Sequence, residues 1–164
     1  MNNLRRLLTQ PLKAVPTSIV IVLLVVALLG FADSAFLTLK HFQGVIPPCT
    51  VVDGCETVLT SSYSSVLGIP VSLFGSVYYL LILIGLYAYI DTRNVKILKW
   101  TLLLTFLGFM MTLGLMYIMA FILKAFCSYC LVSAITSTIL FISSTIILRK
   151  FKLEEIQVDA QLQN

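Results

Sequence analysis

The chain contains 164 residues, of which 59% are hydrophobic and only 11% are charged. A typical soluble domain carries about 25% charged residues, so this composition excludes an ordinary soluble protein and indicates one that resides in a bilayer. The formal net charge of +4 does not predict nucleic-acid binding, because basic residues placed between apolar stretches report membrane topology rather than a polyanionic ligand.

Four apolar stretches are each long enough to cross a membrane as a helix, since about 20 helical residues span a hydrocarbon core of about 30 Å. They extend from about Thr17 to Leu39, Pro70 to Ile90, Leu98 to Leu123 and Phe126 to Leu148. We predict an all-α integral membrane protein, a bundle of four transmembrane helices that forms a single domain over residues 1–164. Residues 149–164 are too few to bury a core of their own, and we interpret them as a tail.

The first stretch admits a second interpretation. Basic residues precede it, and Ala32-Asp33-Ser34 has the small-x-small pattern of a signal-peptide cleavage site. However, the basic lead-in is long for a signal peptide, and apolar residues resume at Phe36 and Leu37. We therefore predict a retained helix. Asp33 then lies inside a membrane helix, where an ionisable residue indicates function by default, although water could solvate it about two turns from the outer end.

The basic residues distinguish the two sides of the membrane. Nine of the eleven Lys and Arg residues precede the first stretch, join the second to the third, or follow the fourth. Only Lys40 and Lys124 belong to the other two connections. By the positive-inside rule, both termini and the tail are cytoplasmic. The loop 40–69 and the short turn near Lys124 are then extracytoplasmic, as are all four cysteines.

The outer loop 40–69 is the longest polar connection. It begins near His41, which would shuttle protons or simply lie exposed at the interface, and Pro47-Pro48 cannot continue a helix. From Glu56 to Leu67 apolar residues recur about once per helical turn. This pattern predicts a short amphipathic helix at the membrane surface, ended by Gly68.

Two pairs of cysteines suggest redox chemistry. Cys49 and Cys55 flank an Asp-Gly turn that can bring their sulfurs to bonding distance. Cys127 and Cys130 form a Cys-x-x-Cys motif in the predicted first turn of the fourth helix, on one helical face. The positive end of the helix dipole stabilises a thiolate there, so we expect Cys127 to be the more acidic sulfur.

Other readings of the four cysteines are weaker. Structural disulfides are one, although a helical bundle in lipid scarcely needs them. A zinc site is another, but tetrahedral thiolate sites usually combine two closely spaced pairs, and only one pair here has that spacing. We favour a redox relay and expect no metal. An apolar bundle with reactive sulfur at its outer end offers a pocket for a lipid-soluble quinone between its helices.

The arrangement resembles the vitamin K epoxide reductase family, and specifically its bacterial disulfide-forming homologues. The features that carry the resemblance are, in chain order, the Cys49 and Cys55 pair, the cluster Thr60-Ser61-Ser62, GIPVSLFG from Gly68 to Gly75, and CSYC from Cys127 to Cys130. An unrelated four-helix disulfide-bond oxidase places its Cys-x-x-Cys before the separated pair, whereas here this motif comes last.

The resemblance implies a role for each cysteine. Cys49 would exchange with an external partner, Cys55 would pass electrons to Cys127, and Cys130, deepest in the bundle, would face the quinone. Ser61 stands where the family has a hydroxyl close to the quinone-side cysteine. It would equally serve as a helix cap or turn residue in the outer loop.

The quinone pocket departs from the animal enzymes of the family, in which an Asn and a Tyr contact the ring. Val71 and Ala134 occupy the corresponding positions here and donate no side-chain hydrogen bond, which disfavours reduction of vitamin K epoxide itself. The aromatic residues Phe74, Tyr78 and Tyr79 would line the pocket, or they would serve helix packing and interfacial anchoring.

We therefore predict an enzyme, a quinone-dependent thiol oxidoreductase of the cytoplasmic membrane. It would pass electrons from an extracytoplasmic thioredoxin-like protein, through both cysteine pairs, to a ubiquinone- or menaquinone-type acceptor, supporting protein disulfide formation. Some family members carry a fused thioredoxin-like domain; this chain ends too soon for one, so we expect a separate partner. The alternatives are quinone or quinone-epoxide reduction of the vitamin K type by the same relay, or a non-catalytic membrane protein with structural disulfides.

Overall fold

The structure, a computed structural model, describes residue 15 and residues 17–48 and 54–162, with side chains as far as residue 150. The elements in chain order are α1 (Thr17–Phe42), α2 (Cys55–Leu59), β1 (Ser65–Val66), β2 (Ile69–Pro70), α3 (Val71–Thr92), α4 (Val95–Tyr117), a π-helical segment (Ile118–Leu123) and α5 (Ser128–Leu162). Within the described part, four helical spans are long and apolar enough to cross a membrane: Thr17–Phe42, Val71–Thr92, Val95–Leu123 and Ser128–Lys150. The predicted four-helix membrane bundle is thus confirmed.

The four spanning helices form a ring of neighbours. α1 packs on α3 and α5, and α4 packs on the same two helices, so α1 and α4 lie on opposite corners. Side chains from all four helices form the buried core, which includes Leu23, Ala27, Tyr79, Ile82, Leu86, Leu98, Leu102 and Leu140. Many large apolar side chains instead point outward, as expected for helices surrounded by lipid.

Small residues let the helices approach closely. A Cβ atom added to Gly30 of α1 would overlap the ring of Tyr79 from α3. Thr38 of α1 meets α3 as well, with its Oγ1 donating to Ser72 Oγ at 3.1 Å. Small residues and hydroxyls are the usual contacts between helices in lipid, where no hydrophobic force drives helices together. The α1–α3 contact therefore fixes the position of Tyr79.

Alanine at Gly30 is expected to destabilise the protein by about 1–3 kcal/mol, because the added methyl group overpacks the contact with Tyr79. The measurement is the thermal unfolding midpoint in detergent. Gly114→Ala is the matched control, since nothing lies within 4 Å of a Cβ at that position and alanine favours helix over glycine. Equal unfolding midpoints for the two variants would contradict this packing.

The ends of the helices differ from the predicted boundaries. α1 continues to Phe42, past the predicted end at Leu39, and Gly44 follows with a positive φ of 65°. The fourth helix begins at Ser128 rather than Phe126, because Lys124 adopts a left-handed conformation with φ of 49° and turns the chain. It continues to Leu162, so most of the predicted tail is helical.

The prediction of one amphipathic helix from Glu56 to Leu67 is wrong beyond Leu59. Hydroxyl groups of the polar run bind backbone carbonyls of this region, as Thr60 donates to Glu56 O at 2.7 Å and Ser64 donates to Ser61 O at 2.8 Å. Such bonds compete with helix continuation.

A two-stranded hairpin follows the short helix. Val66 pairs with Ile69 in antiparallel register. Leu67 and Gly68 form the two-residue turn with φ of 55° and 80°, the left-handed pair that a type I′ turn requires. Gly68 thus serves the hairpin turn instead of ending a helix.

Candidate redox site

A small cluster of buried residues lies where α2 meets the π-helical segment and the start of α5. Its buried members are Cys55, Val58, Met119 and Cys127. Cys55 is only 2% exposed and Cys127 is fully buried, at 0%. The cluster brings a loop cysteine and a cysteine of the Cys-x-x-Cys motif into one enclosed site.

The two buried sulfurs are close enough for exchange chemistry. Cys55 Sγ lies 3.6 Å from Cys127 Sγ, although the residues are 72 positions apart in the chain. Cys55 is held in a disulfide, whereas Cys127 and Cys130 are free thiols. A thiolate attacks a disulfide sulfur directly, so this pair has the arrangement that an electron transfer between the two motifs requires.

Gly54 permits this approach. A Cβ atom at Gly54 would lie 2.6 Å from the carbonyl oxygen of Phe126 and 2.7 Å from its amide nitrogen. Real Cβ atoms do not come so close to backbone atoms, so a larger residue would push α2 away from the start of α5. The glycine of the predicted Asp-Gly turn therefore has a second role, as a contact surface beside Cys127.

Cys127 occupies the N-cap position of α5 rather than its first turn. Its carbonyl accepts the first helical hydrogen bond, from Leu131 N at 3.0 Å. The N-cap side chain is the one that receives the otherwise unpaired amides of a helix start. A thiolate at this position is stabilised by those amides and by the helix dipole.

The environment lowers the pKa of Cys127 to about 7. The hydrogen bond from the Cys130 thiol contributes most to the lowering, burial opposes it, and the backbone amides of Cys130 and Tyr129 lower the pKa further. The negative charge of Asp33 acts in the opposite direction. These interactions favour the nucleophilic thiolate form of Cys127.

Polar groups continue inward from Cys130 along α5. Tyr79 of α3 reaches across the bundle, and its hydroxyl donates to Ser133 O at 3.0 Å and lies 2.8 Å from Thr136 Oγ1. Ser133 follows Cys130 by one helical turn. A buried phenol is therefore anchored directly below the Cys-x-x-Cys motif.

Comparison with known proteins identifies the group to which these features belong. A sequence model of the vitamin K epoxide reductase family matches residues 21–145. The chain belongs to this family. No curated protein sequence matches the chain. Members of the family are membrane oxidoreductases that act with quinones, so the chain is an integral membrane protein of this enzyme class.

Of the residues expected to react in a vitamin K epoxide reductase homologue, the structure brings three together, Cys55, Cys127 and Cys130. Cys49 lies outside the described residues, so its pairing with Cys55 stays a prediction. Among the residues that the structure describes, no group of three or more His, Cys, Asp or Glu side chains is placed to hold a metal ion.

The predicted quinone-pocket residues are spread around the bundle. Ser61 donates to Val58 O at 2.7 Å, the bond of a helix end. Val71 begins α3, and Phe74 beyond it is 53% exposed. Tyr78 packs on Gly108 of α4, and Ala134 lies one turn beyond Cys130 in α5.

Sequence reasoning noted Tyr79 as one of several aromatic residues but missed its partners Ser133 and Thr136. No local motif identifies them, because the contact joins α3 to α5. The surface beside α2 also carries a cleft of about 250 Å³, lined by Leu37, Lys40, His41, residues 44–47, Leu59 and Thr60. His41 is exposed there.

Proposed function

We propose that the protein is a thiol:quinone oxidoreductase that supports disulfide formation outside the cytoplasm. An extracytoplasmic thioredoxin-like dithiol protein supplies the electrons, and a quinone of the ubiquinone or menaquinone type accepts them within the bundle. The observation that carries the proposal is the 3.6 Å separation between Cys55 Sγ and Cys127 Sγ. It links the loop motif to the helical motif in the order that the family resemblance implies.

The reaction proceeds as three exchanges. The partner dithiol first reduces the loop disulfide of Cys49 and Cys55, and the partner leaves as a disulfide. The Cys55 thiolate then attacks Cys127, which breaks the bond between Cys127 and Cys130, and Cys49 displaces Cys127 by attacking Cys55. Finally the dithiol of Cys127 and Cys130 gives two electrons to the quinone, which becomes hydroquinone while the helical disulfide forms again.

One intermediate of this proposed sequence has an oxidised loop pair and a reduced helical pair. Cys55 is in a disulfide while Cys127 and Cys130 are reduced. That combination arises after electrons have reached the helical pair and before the quinone removes them. The lowered pKa of Cys127, about 7, supports the proposed order, because it makes Cys127 a good leaving group when Cys49 attacks Cys55.

Reduction of a quinone is favoured over reduction of a quinone epoxide. Val71 and Ala134 place no hydrogen-bond donor where the animal enzymes contact the ring. The membrane-buried hydroxyl of Tyr79 is instead bound to Ser133 O, so its proton is already engaged in holding α3 to α5.

The decisive experiment follows quinone absorbance with purified protein in lipid nanodiscs. A reduced thioredoxin-like protein is the electron donor, and short-chain ubiquinone and menaquinone analogues are the acceptors. We expect rapid quinone reduction that stops when the protein is first reduced and alkylated with N-ethylmaleimide. A rate no greater than that of the alkylated control, with both quinones, would contradict the proposed function.

The proposed orientation predicts opposite labelling of two introduced cysteines. Leu67 is 98% exposed at the hairpin turn, and Asn94 is exposed in the connection between α3 and α4. With an impermeant maleimide, Leu67→Cys should gain label over the parent protein in intact cells. Asn94→Cys should gain label only after the cells are opened. The reverse pattern would place the relay on the cytoplasmic side.

A further inference from the structure

Asp33 is an acidic residue inside the bundle that the relay leaves without a role. Of the seven Asp and Glu residues in the chain, only Asp33 and Asp91 lie within the four spans, and Asp91 is in the last turn of α3. Asp33 lies three residues after Gly30 and four before Leu37, both buried, so it shares their inward face. Its Oδ2 atom is buried and has no hydrogen-bond partner among the described residues.

Contacts on either side of Asp33 fix its depth in the bundle. One turn outward, the ring of Phe36 meets that of Tyr129 with centroids 5.6 Å apart. One turn inward, Gly30 packs on Tyr79, which is bound to α5 at Ser133, one turn beyond Cys130. Asp33 therefore lies at the level of Cys130.

Electrostatic interactions agree with this placement. The charge of the Asp33 carboxyl acts on Cys127, on Cys130 and on Tyr79. Tyr79 belongs to α3, and Cys127 and Cys130 lie at the start of α5, the two helices that pack against α1. The Asp33 carboxyl thus influences both thiols electrostatically, and its Oδ2 atom has no hydrogen-bonding partner among the described residues, so it is free to take up or release a proton near them.

Two steps of the proposed reaction, the exchange between the cysteine pairs and the reduction of the quinone, each involve one proton for which the thiols provide neither donor nor acceptor. A reduced loop pair carries two protons, but a helical pair with Cys127 as thiolate and Cys130 as thiol carries one. The exchange between the pairs therefore releases a proton. Conversion of a quinone to hydroquinone takes up two electrons and two protons, and this helical pair supplies both electrons but only one proton. One group must hold the released proton and return it.

We propose that Asp33 is this proton carrier, an inference that rests on the proposed quinone reduction. Its carboxylate takes the proton released when the loop pair reduces Cys127–Cys130. The resulting carboxylic acid gives that proton to the reduced quinone while Cys130 supplies the other. Asp33 returns to the carboxylate at the end of each cycle, so the sum of the two steps is loop dithiol plus quinone giving loop disulfide plus hydroquinone.

The test compares quinone reduction by the native protein, Asp33→Asn, Asp33→Glu and the control Asp91→Asn, each in nanodiscs, between about pH 6 and pH 8. Below the pKa of Cys127, about 7, both thiols are protonated and supply both protons. Above it the second proton must come from elsewhere. We expect the rate of Asp33→Asn relative to native to fall as the pH rises, reaching a loss of roughly a hundredfold. Asp33→Glu, which keeps a carboxyl group, should recover most of the rate, and Asp91→Asn should match native.

A second measurement does not depend on quinone. With the loop disulfide intact, ultraviolet thiolate absorbance reports the ionisation of the helical pair, and Asp33→Asn should lower the pKa of Cys127 because it removes a nearby negative charge. An unchanged titration, or a rate lowered by the same factor at every pH, would overturn the proposal and leave Asp33 a packing residue. If Asp33→Asn behaves as native while native reduces quinone, the inference alone fails. If native reduces no quinone, the proposed function fails and takes this inference with it.

Discussion

Alanine at either Cys127 or Cys130 is expected to reduce quinone turnover to below roughly a few per cent of the native rate. A two-electron dithiol needs both sulfurs, since oxidation ends with a disulfide between them. The loss should appear in kcat, because neither thiol is needed to bind the ring. The measurement is quinone absorbance with the thioredoxin-like donor in excess.

Ser128→Ala provides the matched control for these variants. Ser128 lies between the two cysteines at the start of α5, and its buried Oγ atom has no hydrogen-bond partner among the described residues. Its removal should leave the rate near native. Activity above a few per cent in either cysteine variant would remove the helical pair from the electron path, whereas an inactive Ser128→Ala would show that the site tolerates no change.

The membrane fold was predictable because each span carries its own signal. A helix in lipid must form all its backbone hydrogen bonds internally and needs about 20 apolar residues to cross the hydrocarbon core. This requirement appears in the sequence as a continuous run of apolar residues. The spans starting near Thr17 and Pro70 are located to within a few residues. The end of the first span was predicted less accurately, because Lys40 and His41 extend α1 beyond Leu39, where polar side chains are compatible with helix.

The outer loop was predicted less well because two local structures competed for it. Apolar residues spaced by a helical turn, such as Val58 and Leu59, favoured one helix through Leu67. The hydroxyl groups of Thr60, Ser61 and Ser64 instead bind nearby carbonyls and end the helix early. Periodicity counts apolar positions and takes no account of this competition.

The candidate site shows the same division between local and distant features. The Cys-x-x-Cys motif and the helix start beside it are local, so the lowered pKa of Cys127 could be predicted from them, although the Cys130 thiol contributes more to it than the helix start. The approach of Gly54 to Phe126 and the anchoring of Tyr79 on Ser133 join segments far apart in the chain. The partners in these contacts cannot be recognised from the sequence, because any small residue or backbone carbonyl at the same place would make the same contact.

The proposed order of electron transfer predicts an intermediate that can be trapped, a disulfide between the loop and the fourth spanning helix. Cys55 Sγ is already 3.6 Å from Cys127 Sγ, and a disulfide bond requires about 2.05 Å, so a small movement of α2 closes it. In the proposed relay, Cys49 resolves that bridge from a few residues away in the chain, at the high effective concentration that a short loop gives.

Cys49→Ala is therefore expected to accumulate a disulfide between Cys55 and Cys127, because it removes the resolving thiol while leaving the attacking one. Non-reducing peptide mapping after incubation with oxidised quinone would detect the loop-to-helix peptide pair as a major species. Cys55→Ala is the matched control and should show no such pair, since Cys49 is not the thiol assigned to attack Cys127. A closed pair of Cys127 with Cys130 beside a free Cys55 in Cys49→Ala would contradict the order of the relay. A bridge from Cys49 to Cys127 in the native protein would reverse the roles of the two loop cysteines.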